Sequence, residues 1–429
     1  MMRPAAAVVS GVEGVPLRSR SAQATVIGAS GALLAAAVFL APYALWRVST
    51  AFFITISDVL FAVSAILLVA ARAVTARPFG TWTPVWLIAF STMLLGLLIG
   101  SLMNGDPTRW LSGAAQYAFG FVVLPFLLMS GPAGWPILFA RAFLAGVFAM
   151  EAFGLLIFYF GPTFFENHQQ IAFEFVTGAG RLGAFLGDAN WNGAMISMAL
   201  PFALFLWWTE RLGTYAAILS LLVLMGALTA SGSFTGFTSG AAAVLVFVLV
   251  AGGRASLKFL LGLGVAAGLL FASGYEPPVV FKKRVAEAIA EGDINQAGTY
   301  AGRLDLIEEA WHIVEGTSIV GLGVDQYRVV SRQKAPVHNI YLLLWAEGGL
   351  LALIGWLVMM SILLIGSIMS CRIDRRAGAL GLSVLLTFVL FSIAAPHMYA
   401  RIWIVPLLLA TAISFSTRAP AAPAINEYP

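Results

Sequence analysis

Twelve long apolar runs constrain the fold of this 429-residue chain more than any other feature. They cover 25–45, 51–71, 82–103, 111–130, 135–160, 190–208, 213–230, 236–251, 255–273, 339–367, 377–395 and 398–416. A helix needs about 20 mostly apolar residues to cross the hydrocarbon of a bilayer. Within that layer every backbone N–H and C=O must be satisfied by protein, which leaves helices and closed barrels. Only 10% of the residues are charged, against about 25% in an average soluble protein. The expectation is an all-α integral membrane protein of about 12 transmembrane helices in contact with the lipid bilayer. The run 236–251 is short, and the turn at 231–236 leaves a single re-entrant element open there.

The first 24 residues hold Arg3, Arg18 and Arg20 and no long apolar run. The run that follows is too long for a typical cleaved signal, so it is expected to stay as the first span. The chain then divides into a tail (1–24), nine spans (25–273), a large polar loop (274–338), three more spans (339–416) and a second tail (417–429). Cytoplasmic loops carry an excess of Lys and Arg. With the N-terminus in the cytoplasm, thirteen basic residues fall on inner loops and ends and four on short outer loops. The other seven sit in the long loop, where the rule does not count them. Both termini are therefore expected in the cytoplasm. The net charge of +4 follows from this topology and gives no reason to expect nucleic acid.

That orientation collects the polar stretches 104–110, 161–189, 231–236 and 274–338 on the outer face, and all four histidines with them. Within the large loop, 279–291 and 301–316 read as helices, the second with Leu304, Ile307, Trp311 and Val314 at helical spacing. A small helical cap on the membrane surface is expected. The sequence lacks a Walker A loop, a His-Glu-x-x-His motif, a Gly-x-Ser-x-Gly elbow and any metal-ligand spacing. No metal and no cofactor are expected, and an ATP-driven pump, a metalloenzyme and a serine hydrolase lose ground.

Three outer-face stretches carry chemistry. In 180–202, Arg181 precedes a Gly-rich turn, and Asp188, Asn190 and Asn192 lead into a helix whose free N–H groups favour anions. The plain alternative is a helix cap with an interfacial arginine. In 302–316, Arg303 opens an amphipathic helix near Asp305, Glu308 and Glu309; the alternative is a surface ion pair of little worth. In 335–356, His338 and Asn339 stand ahead of a span that carries Glu347, Gly348 and Gly349. A histidine there is either a general base or a hydrogen-bonded boundary residue. Asp58, Glu151 and Glu347 are acids inside apolar runs, where charge costs ~2.5–3.5 kcal/mol, so each needs a partner or a polar path.

Taken in order, these stretches resemble the O-antigen ligase and polysaccharide polymerase superfamily. The resemblance rests on Arg181-Leu-Gly-Ala-Phe through Asn190-Trp-Asn192-Gly, on Gly302-Arg303-Leu-Asp, on Gly321-Leu-Gly323, and on His338-Asn339 followed by Glu347-Gly348-Gly349. Two departures stand out. The turn SGSFTGF lacks the arginine many members have after the seventh span, and Ala189 replaces a frequent proline. The resemblance implies a bacterial inner-membrane protein whose large loop, between the ninth and tenth spans, and active site face the periplasm. It implies a metal-independent glycosyltransferase that moves an oligosaccharide from an undecaprenyl-pyrophosphate donor to an acceptor hydroxyl. Arg181 and Arg303 would neutralise the leaving pyrophosphate and His338 would take the acceptor proton. Arg328 is a further phosphate contact, and Asp188, Asn190, Asn192 and Asn339 are substrate-binding candidates. Polymerising repeat units of an exopolysaccharide or O-antigen is the first reading; ligation to a lipid A core is the alternative. Other membrane proteins of polysaccharide assembly are candidate partners. A flippase for lipid-linked sugars that uses Asp58, Glu151 and Glu347 is the rival from another class.

Overall fold

The computed structural model describes residues 17–49, 54–164, 175–177, 180–253, 262, 264, 272–274, 276–292, 300–316, 318–396 and 400–416. Among them, nine helices are long and apolar enough to cross a membrane, and Ile56–Ala70 and Arg401–Ser416 are shorter apolar helices. The expected span 255–273 lies almost wholly outside the described residues. Among the described residues the protein is an all-α membrane protein apart from two small two-stranded ribbons.

The described helices in chain order are α1 (Leu17–Leu40), α2 (Ile56–Ala70), α3 (Thr83–Met103), α4 (Pro107–Leu128), α5 (Trp135–Phe164), α6 (Ala189–Trp208), α7 (Thr214–Ser231) and α8 (Phe234–Ala251). A helical run, α9, follows from Val279 to Glu291, then α10 (Tyr300–Gly316), the short α11 (Tyr327–Val330), α12 (Ile340–Ser370), α13 (Arg375–Ala394) and α14 (Arg401–Ser416). Strands β1 (Arg47–Ser49) and β2 (Ile54–Thr55) pair ahead of α2. Strands β3 (Val176–Thr177) and β4 (Arg181–Leu182) pair ahead of α6.

Helix α6 forms the centre. Every residue from Asn192 to Leu206 is buried, as expected of a helix apolar on all sides. Helices α5, α7, α8 and α13 pack around it. The turn at 231–236 separates two 18-residue helices that both pack on α6, with Gly232 in the left-handed region at φ 53° and Ser233 capping α8. Each reaches about 27 Å at 1.5 Å per residue, close to a full crossing.

Helix α4 shows how local sequence sets a kink. Pro125 cannot donate to the Phe121 carbonyl one turn earlier. Trp86 Nε1 donates to that oxygen instead at 2.7 Å, and a π-helical turn occupies Phe119–Val123.

Basic side chains gather at one end of the bundle. Arg141 donates to the Arg211 carbonyl and Arg376 to the Trp208 carbonyl, so both serve the C-terminal end of α6, where cations are favoured. The opposite end holds β3–β4, the 231–233 turn, the loop 318–339 and the start of α14.

Three expectations need correction. The buried stripe of α10 is Leu306, Ala310 and Val314; Leu304 and Trp311 are half exposed. The packing partner decides this: α10 lies against α12, and α11 adds one tie, the Tyr327 hydroxyl donating to the Leu306 carbonyl at 3.0 Å. Asp58 is not deep in its span. The β1–β2 ribbon delays the helix, so Asp58 sits in the first turn of α2 and accepts from the Thr55 amide at 2.7 Å. The anion site expected at the start of α6 is filled by the chain itself, as described next.

Candidate functional site

Gly180, at φ 71°, turns the β3–β4 hairpin and places Arg181 at the end of the bundle opposite the basic cluster. Arg181 Nε donates to the Ser231 carbonyl and Nη2 to Asn190 Oδ1, both at 2.8 Å. Ser233 Oγ donates to the same Asn190 oxygen at 3.4 Å. The arginine thus joins the hairpin, the N-terminus of α6 and the α7–α8 turn. These two contacts fix the orientation of the guanidinium.

Asp188 caps α6. Its Oδ1 accepts from the Asn190 and Trp191 amides at 2.8 and 2.9 Å. These are two of the amides an incoming anion would use, which is why the helix terminus is no open anion site. One turn further on, buried Asn192 donates to Glu151 Oε2 at 3.1 Å and to the Leu182 carbonyl at 3.4 Å. Glu151, fully buried on α5, therefore acts through Asn192 on the residue beside Arg181.

A second cluster forms around the loop 318–339. Asp325, at φ 62°, accepts from Arg109 Nη1 at 2.7 Å and from Arg328 Nη2 at 2.6 Å through one oxygen, Oδ2. The same loop threads into a break in α12. The Leu322 amide donates to the Ala346 carbonyl and the Gly323 amide to the Glu347 carbonyl, both at 2.8 Å. Gly349 is the break, at φ 64° and ψ −168°. The backbones meet so closely that a Cβ on Gly321 would collide with the Glu347 backbone. Glu347, nearly buried, accepts from the Tyr327 amide at 3.3 Å and so holds the start of α11. The Gly-x-Gly and Glu-Gly-Gly segments are two halves of one backbone junction.

His338 and Asn339 are half-buried and follow fully buried Val337. Asn339 caps α12 by accepting from the Tyr341 and Leu342 amides at 3.0 and 3.1 Å. Arg303 lies in the first turn of α10, and its side chain is outside the described residues, as are His168 and His397. On the same helix, Glu309 accepts from Ser331 Oγ and the Arg332 amide at 2.9 and 2.8 Å. Burial first, and the Glu309 carboxylate second, push the Tyr327 phenol up. His312 is exposed and faces Glu315 at 3.4 Å.

By their contacts, the candidate residues fall into two groups. Arg181, Asp188, Asn190, Asn192 and Glu151 form one. Arg328 and Glu347 form the other, around a cavity of about 290 Å3 that Pro336, two residues before His338, also lines. Asp58 belongs to neither, because it pairs with Arg401 at the start of α14. Arg109, Asp325 and Arg401 are not singled out by their sequence surroundings. The available signal for Arg401 is the demand of the largely buried acid Asp58 for a cation. Among the described residues, no group of three or more His, Cys, Asp or Glu side chains is placed to hold a metal ion.

Residues 215–357 match the Wzy_C family model, described as O-Antigen ligase. The matched segment contains the α7–α8 turn, Arg303, the Gly321–Gly323 and Glu347–Gly349 junction, Arg328 and His338, and it begins after Arg181 and Asn192. No curated protein matches the chain. The match supports the O-antigen ligase and polysaccharide polymerase superfamily, and with it glycosyl transfer of the ligase or polymerase type by a multi-pass membrane protein.

Proposed function

We propose that this chain, carrying an O-antigen ligase segment at 215–357, transfers a glycan from an undecaprenyl-pyrophosphate carrier to an acceptor hydroxyl at the periplasmic face of the bacterial inner membrane. The acceptor is most simply another lipid-linked repeat, so that the product is an exopolysaccharide or O-antigen chain. The observation that carries the reading is the coincidence of the matched segment with the 318–349 junction, which fixes the chain on both sides of His338.

In the step itself, the acceptor oxygen attacks the anomeric carbon while its proton passes to the His338 imidazole. The bond from that carbon to the phosphate oxygen breaks, and its electron pair leaves with the pyrophosphate. Arg181 and Arg303 neutralise the charge that gathers there, as charge-assisted donors do for phosphates. A general base contributes ~10²–10⁴-fold. Arg181 has its orientation from Asn190 and Ser231. Asp188 and Asn339 serve as helix caps in this scheme.

Ligation is the second reading, favoured by the family description itself. The flippase reading weakens, because each intramembrane acid has a local partner: Arg401 for Asp58, Asn192 for Glu151 and the Tyr327 amide for Glu347.

The test is a deletion strain complemented with wild type, His338→Ala or Arg303→Ala, with lipid-linked and surface glycans sized. Polymerisation predicts that single lipid-linked repeats accumulate in the variants and long chains vanish, a loss of about 10²-fold or more for His338→Ala. Long lipid-linked chains that never reach an acceptor would mark a ligase. Normal glycans at normal protein levels in both variants would overturn the assignment.

A further inference from the structure

The polar residues Arg109, Ser112 and Gln116 recur on one face of α4 at three- and four-residue spacing. At 1.5 Å per residue the stripe runs about 10 Å along the helix. Polar side chains on a membrane helix are costly against lipid and normally face a protein interior or a water-filled cavity. Here the stripe lines the 290 Å3 cavity, and across from it stand Asp325, Arg328 and Glu347. Leu97 and Tyr117, both buried, supply an apolar and aromatic floor.

The lining mixes donors and acceptors. Arg109 and Arg328 each spend one nitrogen on the same Asp325 oxygen, and a guanidinium has five N–H donors. Asp325 and Glu347 add carboxylates, and Gln116 both donates and accepts. A pyrophosphate esterified at both ends carries no hydroxyl at neutral pH, only accepts, and would meet two carboxylates. A sugar hydroxyl donates and accepts at once, and suits such a wall. The volume lies at the lower edge of the roughly 300–1,000 Å3 of sites for drug-sized ligands, enough for one ring and not for a chain. Pro336 lines the cavity, and the two residues from there to His338 reach at most about 7 Å.

We infer that this cavity is a subsite for one hydroxyl-rich sugar residue of the glycan substrate, set beside the reacting residue. The inference rests on the transfer reading given above. Arg109, Ser112 and Gln116 then select the sugar, while Asp325 holds the two arginines in register.

The test uses the full chain in phosphatidylcholine nanodiscs, titrated with glucose, galactose, mannose, rhamnose, N-acetylglucosamine and inorganic pyrophosphate, and read by saturation-transfer-difference NMR. At least one sugar is expected to bind, with affinity about tenfold weaker in Gln116→Leu, the equivalent of about 1.4 kcal/mol. Arg109→Gln is expected to weaken it further, with pyrophosphate binding unchanged in both. Gln116 lines the cavity and is exposed, so its replacement leaves the packed core intact; unchanged thermal melting checks this. Failure of every sugar to bind, or equal sugar binding in wild type and both variants, overturns the subsite. The transfer reading fails separately, through normal glycans in the His338→Ala strain, a result that sugar binding in nanodiscs does not depend on.

Discussion

Asp58 and Arg401 meet where the first turns of α2 and α14 touch, with side chains only 13% and 16% exposed. Thr55 joins them, donating through its hydroxyl to Asp58 and accepting from Arg401. Removing one partner of such a pair leaves a stranded charge and costs about 3–5 kcal/mol, whereas an apolar pair of similar volume can be neutral. Arg401→Met alone should therefore lower the melting temperature of the purified protein sharply, and Asp58→Leu combined with Arg401→Met should recover most of the loss. Equal melting of single and double variants would show that the pair is not coupled. Glu151 and Asn192 follow a different logic, because their bond is a single hydrogen bond in a fully buried setting. Asn192→Ala leaves the Glu151 carboxyl and the Leu182 carbonyl without that donor, at roughly 1–3 kcal/mol for an unsatisfied buried group. Glycan transfer in vivo should fall with Asn192→Ala and be largely kept in Glu151→Gln, which can still accept from Asn192. Loss of transfer in Glu151→Gln with normal stability would give the carboxyl a role beyond packing.

At the scale of elements, α12 is two helical segments joined at Gly349, and the loop 318–323 fills the gap. A backbone at φ 64° and ψ −168° is open almost only to glycine and costs an L-residue roughly 1–3 kcal/mol, and here the new Cβ would also run into the Ile319 carbonyl. Gly349→Ala should lower stability by more than the conformational cost alone and loosen the loop that leads to His338. Faster amide exchange at Leu322 and Gly323 is the readout, and unchanged protection there would remove the junction from the argument. The kink of α4 offers a parallel case. Trp86→Phe keeps the ring but leaves the Phe121 carbonyl without its donor, so a loss of about 1–3 kcal/mol is expected in thermal melting.

At the scale of the whole molecule, the two ends differ in kind. One end carries Arg141, Arg211, Arg375 and Arg376 beside helix C-termini. The other carries the Arg181 and Arg328 groups. With the basic end in the cytoplasm, a membrane-impermeant thiol reagent applied to spheroplasts should label His312→Cys, which is exposed, and spare the native Cys371. Labelling of Cys371 alone would invert the orientation and move the proposed chemistry to the wrong face.

The sequence by itself determined the membrane class, the helical architecture and the places where most helices start and stop. Hydropathy and caps are local, and a run of apolar residues must be a helix in lipid whatever surrounds it. Residues such as Asp188 and Asn339 are legible as caps for the same reason. What the tertiary structure alone decided was pairing. Asp58 found Arg401, Asn192 found Glu151 and Asp325 found Arg109, each across elements far apart in the chain, while Arg328 reaches Asp325 from only three residues away. Which stripe of α10 is buried was likewise set by its packing on α12. Spacing along a helix says which side chains share a face. Which face is covered, and by what charge, depends on contacts that form only when the bundle closes.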